Sequence, residues 1–206
     1  MVEVCNEPEA TCPYCNKILE QIPQRKKQCS FCKKYIYVRN RKLVTEDDAK
    51  KFDWLKRLGE YGVVEQDFEV TKAQLSEKFK EEPSDQDIFW SLFHQLIKKN
   101  RNDLQTLKMI YYEMALFLNE SGKDYFTALQ LSHKMDLMYY KKRGIINKVK
   151  IITCGTGSCE QCQLLQDKIY SIEEALEKMP VPNKNCTKIM FDKNRGFCKC
   201  CYVASF

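Results

Sequence analysis

Cysteine is the residue type here with the most chemistry to offer. Cys12-Pro13-Tyr14-Cys15 and Cys29-Ser30-Phe31-Cys32 are two Cys-x-x-Cys pairs separated by 13 residues. A pair of this kind presents two thiolates from one tight turn, and a Zn²⁺ ion takes four ligands at tetrahedral corners, with thiolate well suited to it. Cys12, Cys15, Cys29 and Cys32 are therefore expected to hold one zinc, with the spacer long enough for a short hairpin. Four thiolates fill the coordination sphere, which points to a structural ion.

The far end of the chain repeats the theme with more ligands. Cys159-x-x-Cys162 is followed by Cys186, then by Cys198, Cys200 and Cys201, with Cys154 upstream. Cys159, Cys162, Cys186 and Cys198 are the expected ligands of a second zinc. Cys200 could replace Cys198, or Cys198 and Cys200 could bind together and leave Cys186 free. Of the twelve cysteines, eleven fall in segments 12–32 and 154–201, and Cys5 is the other. The start, MVEVCNEPEA, has no apolar signal-like core, and no apolar run approaches membrane-spanning length. Reduced thiols in a cytoplasmic setting, with no membrane association, are the expectation.

Charge adds a second signal. The net charge of +6 is uneven: residues 21–45 carry eight basic side chains and no acid. Arg25, Lys26, Lys27, Lys33, Lys34, Arg39, Arg41 and Lys42 could neutralise phosphates, and Phe31, Tyr35 and Tyr37 could stack on bases. The same residues could equally pack a mini-core beneath a solvated face, or meet an acidic protein.

Other constellations are absent. No H-E-x-x-H, G-x-S-x-G or phosphate-loop pattern occurs, and CGTGSC lacks dinucleotide-loop spacing. His94 and His133 sit in separate predicted helices and read as ordinary core or surface residues. Trp54 and Trp90 read as core anchors. The expectation is a protein that is not an enzyme and takes no small-molecule substrate.

The elements that must position these residues follow from periodicity. With seven Gly and six Pro, the chain favours helices. Tyr35 and Tyr37 alternate with basic neighbours in a strand that runs to about Val44. Thr45 with Asp48 caps a helix carrying Ala49, Phe52, Leu55 and Leu58, which stops at Gly62. Thr71 caps a second helix. Ser84 opens a third, with Ile88, Phe89, Leu92, Phe93, Leu96 and Ile97 facing inward. Asn102 caps a fourth, and a fifth runs from about Asp124 to Arg143, giving a helical hairpin. IINKVKIIT reads as a strand, and Ser171 caps a short helix ended by Pro180 and Pro182. The expected architecture is mainly α: a zinc module at 1–44, a helical bundle at 45–143 and a cysteine-rich zinc module at 144–206.

Two resemblances attach to these motifs. CPYC…CSFC resembles the zinc-ribbon family over about 30 residues. The segment CEQCQLLQDKIYSIEEALEKMPVPNKNC…GFCKCCY resembles the cysteine-rich tail of the phage head morphogenesis (minor head protein) family. There Cys159/Cys162 match the knuckle, Leu165 and Lys168-Ile169-Tyr170 match an L-x-G-K-x-F phrase, Pro180/Pro182 match a bend, and Cys198-Lys199-Cys200 match the close. Asp167 stands where that family has Gly. The resemblance implies a zinc-stabilised module of viral or mobile-element proteins. Two functions are thus expected in order: a non-catalytic zinc protein contacting nucleic acid through its basic ribbon, and a protein–protein assembly adaptor.

Overall fold

The computed structural model describes residues 10–188 and 197–205. These contain seven α-helices and two three-stranded antiparallel sheets. The chain divides into two compact units, Met1–Phe89 and Trp90–Phe206. The division falls inside one helix, so segment 45–143 is shared between the units.

The first unit begins with two knuckles built to one plan. Cys12 N–H donates to Lys17 O and Asn16 N–H to Cys12 O, both at 2.9 Å; Cys29 N–H donates to Lys34 O at 2.9 Å and Lys33 N–H to Cys29 O at 3.0 Å. Asn16 and Lys33, each just after the second cysteine, adopt φ of 56° and 60°. Strands β1 (Lys27–Gln28), β2 (Tyr35–Arg39) and β3 (Lys42–Val44) form a meander. The stretch expected as one strand is thus a hairpin, turned by Asn40 and Arg41 at φ of 47° and 62°. Left-handed backbone at both central residues matches the twist of antiparallel strands, and Asn accepts it readily. Cys12, Cys29 and Ile36 form the small core, packed by Tyr14, Cys15, Leu19, Cys32 and Leu43.

Helix α1 (Glu46–Gly59) starts at Thr45 as expected: its side chain accepts from Asp48 N–H. Ala49, Trp54 and Leu58 are its buried residues. Helix α2 spans Glu65–Phe79, so Thr71 is no cap; it lies mid-helix and buried. The start is fixed instead by Asp67, whose carboxylate accepts from Val64 N–H at 2.8 Å. Helix α3 (Asp85–Lys99) opens on Ser84, whose hydroxyl and backbone exchange hydrogen bonds with Asp87.

The second unit is organised by a helical hairpin, α4 (Leu104–Glu120) and α5 (Phe126–Arg143), which pack along their length. Asp103, not Asn102, caps α4, accepting from Gln105 and Thr106 N–H. Gly144 ends α5 at φ 69°. Ser132 Oγ donates to Lys108 O at 2.8 Å, and Lys108 Nζ meets the buried Asp136 carboxylate at 2.8 Å, tying the two helices. Strand β4 (Lys148–Ile152) is central in the second sheet, between β5 (Ile169–Ser171) and β6 (Cys201–Ser205). Its Val149 and Ile151 are fully buried, as the alternation of IINKVKIIT demands. Helices α6 (Glu160–Gln163) and α7 (Ile172–Lys178) complete the unit. Trp90 is 41% exposed and is no core anchor; its ring lies edge-on to His94 at 4.9 Å, whereas Trp54 is buried.

Candidate metal centres and a basic aromatic face

The N-terminal cluster assembles as the spacing requires. Cys12 and Cys32 sulfurs are 3.8 Å apart, Cys15 and Cys29 sulfurs 3.9 Å, and all four lie within 4.8 Å of one another. Four sulfurs bound tetrahedrally at about 2.3 Å sit about 3.8 Å apart, the spacing of the two close pairs, so the cluster is suited to a four-coordinate ion. The knuckle turns also aim backbone N–H groups at sulfur. Those of Cys32 and Phe31 draw the Cys29 thiol down to about 6, favouring the thiolate that a metal needs.

The C-terminal cluster gathers five thiols in two overlapping groups: Cys159, Cys162 and Cys186, and Cys162, Cys198 and Cys200. Cys159 and Cys186 sulfurs are 3.8 Å apart, Cys162 and Cys198 sulfurs 3.9 Å. Cys162 belongs to both groups, so the four expected ligands are divided between two sets of three, and Cys200 joins Cys198 in the second. Cys159 caps α6 and Cys162 lies within it; Cys198 and Cys200 arrive on the approach to β6. Asn183 holds the intervening loop against α6 by donating to Gln161 O at 3.3 Å. A hydrogen bond from Cys200, with backbone N–H groups of Asn183 and Cys200, lowers Cys198 to about 6, while the same Cys198–Cys200 bond raises Cys200. Burial raises Cys162. Cys154 is exposed and Cys201 half-buried, both outside these groups, and Cys5 lies outside the described residues.

The basic residues are distributed unevenly in role. Arg25, Lys26, Lys27, Lys33, Lys34, Arg41 and Lys42 are exposed. Arg39 is half-buried and gives both its Nε and an Nη to the Asp53 carboxylate of α1, at 2.7 and 2.6 Å. Its job is to seat the sheet on α1. Tyr14 does the same from its knuckle, its hydroxyl accepting from Glu46 N–H at 2.7 Å. Lys33 Nζ donates to Ser30 O at 2.7 Å within the second knuckle. The other aromatics stay out of the core: Phe31 and Tyr35 are each 50% exposed.

Of the two histidines, His94 is exposed and His133 is buried against the Tyr202 ring at 5.8 Å. Neither belongs to a cysteine group. What the sequence did not signal is the polar set Lys108, Ser132 and Asp136, because each residue looks like ordinary helix-surface chemistry until α4 and α5 are paired. Among the described residues no helix is long and apolar enough to cross a membrane. Compared with known protein families, curated proteins and solved structures, the chain matches none.

Proposed function

We propose that this is a non-catalytic, two-zinc protein that contacts nucleic acid through its N-terminal zinc ribbon. The N-terminal four-thiol set, with sulfur pairs at 3.8 and 3.9 Å, favours zinc in a closed, structural role, because four thiolates leave no open position for substrate, and the five C-terminal thiols offer enough donors for a second such ion. The observation that carries the nucleic-acid reading is the charge distribution: eight basic side chains and no acid in segment 21–45, seven of them exposed on one small module. Such a face attracts phosphates, releases counterions on binding and loses affinity steeply with salt.

The test is electrophoretic mobility of the metal-loaded chain with DNA and RNA. Replacing Lys26, Lys27, Lys34 and Lys42 by Gln spares the structural contacts of Arg39 and Lys33. Binding should fall at least tenfold and its salt dependence should flatten. Unchanged binding by this variant would sink the reading.

A second reading, an assembly adaptor of the kind the phage head resemblance implies, draws on Ile145, Leu164 and Ile169. These are 75%, 66% and 55% exposed in the second unit. It predicts self-association or a protein complex that survives high salt, measured by sedimentation.

A further inference from the structure

The aromatic side chains of the basic module are arranged for more than charge. Ile36 points into the core, so its neighbours Tyr35 and Tyr37 share the opposite face of β2. Tyr35 is half-exposed, and neither tyrosine belongs to the cluster built on Cys12, Cys29 and Ile36. Burial therefore does not account for Tyr35, while Tyr37 is half-buried. Lys26 Nζ stands 4.7 Å from the centroid of each ring, and Lys17 Nζ stands 4.7 Å from the ring of Phe31 at the tip of the second knuckle. The rings of Phe31, Tyr35 and Tyr37 thus each carry a cation at the face. This is the pairing that receives a base and the phosphate attached to it.

Spacing then selects the form of nucleic acid. Side chains two residues apart on a strand are separated by about 6.8 Å. Bases within a duplex strand rise by about 3.4 Å and have both faces covered by their neighbours. Tyr35 and Tyr37 cannot each take one of two adjacent stacked bases. They can each take one base of an extended strand whose bases have parted.

The geometry points to single-stranded nucleic acid as the ligand of this face, with successive bases stacked on Tyr35 and Tyr37 and a further base within reach of Phe31. Lys26 moves from the rings to the intervening phosphate, and Lys42, which pairs with Arg39 on the same face of the sheet, follows the backbone. Sugar identity plays no part in these contacts, so DNA and RNA strands of equal length both bind. This inference rests on the nucleic-acid reading above and narrows it.

Fluorescence anisotropy of the metal-loaded full chain tests it, with labelled 15-nucleotide oligo(dT), oligo(U) and a blunt 15-base-pair duplex as probes. The single strands should bind at least tenfold tighter than the duplex. Tyr35→Ala and Tyr37→Ala should each lose roughly tenfold on the single strands, with metal content unchanged, while Tyr35→Phe, which keeps the ring, should bind as the parent does. A Tyr35→Trp variant should show quenched indole fluorescence on adding oligo(dT), beyond any change in the parent. Equal affinity for duplex and single strand, unaffected by the alanine changes, overturns the single-strand inference and leaves the nucleic-acid reading standing. Absence of binding to every probe at low salt overturns both.

Discussion

Cys162 is the one thiol common to both groups of the C-terminal cluster, and this sets it apart from its neighbours. Cys198 and Cys200 lie in the same group, so the two-zinc reading expects either to serve as the closing ligand and Cys162 to be indispensable. Native mass spectrometry of the parent should count two zinc ions per chain. Cys162→Ser should lower the count to one, and Cys198→Ser and Cys200→Ser should each keep two. Loss of the second zinc on Cys200→Ser alone would show that the closing ligand is Cys200 and that Cys198 cannot stand in. The sequence made the N-terminal set legible because two Cys-x-x-Cys pairs offer four thiols and no surplus. It left the closing ligand of the second set open because Cys-x-Cys presents two sulfurs whose order of approach depends on how β6 enters the sheet.

Helix α5 carries its own prediction. Burial, with Lys108 nearby, lowers His133 from 6.5 to about 4. The folded protein therefore keeps His133 neutral where the unfolded chain protonates it. The unfolded state binds the extra proton between these two values, so stability is full above pH 6.5 and falls as pH drops toward 4. One group with this shift accounts for about 3 kcal/mol across the window. Urea unfolding of the parent and of His133→Leu at pH 7 and pH 5 should show a smaller loss in the variant; equal losses would place the acid sensitivity elsewhere. The same helices show where local reading of sequence succeeds. Thr45 and Ser84 were legible as caps because the partner acid stands three residues on. The start of α2 was not, because its cap works in reverse: Asp67 reaches back to the N–H of Val64, a residue with no capping group of its own. Trp90 was misread because a large ring on an apolar helix suggests burial, and only the fold shows that its side of α3 is open.

At the scale of the chain, the N-terminal cysteine module and the second unit are held by different forces. The N-terminal module has a core of Cys12, Cys29 and Ile36, too small to repay the entropy of ordering some thirty residues. On the proposed two-zinc reading, metal binding supplies most of its folding free energy. The second unit has the long apolar faces of α4 and α5, with Leu107, Ile110, Leu129 and Leu137 buried. Chelation followed by amide hydrogen exchange should therefore strip protection from β2 while amides of α4 and α5 stay protected. Protected β2 amides in the chelated protein would show that its core suffices without metal. The two-knuckle plan also bears on stoichiometry. The knuckles share one backbone design and each has an aromatic residue at its third position, yet Tyr14 is spent on the first turn of α1 and only Phe31 faces solvent. A module that looks two-sided therefore has one exposed aromatic tip, and on the proposed single-strand reading a chain takes one strand at a time.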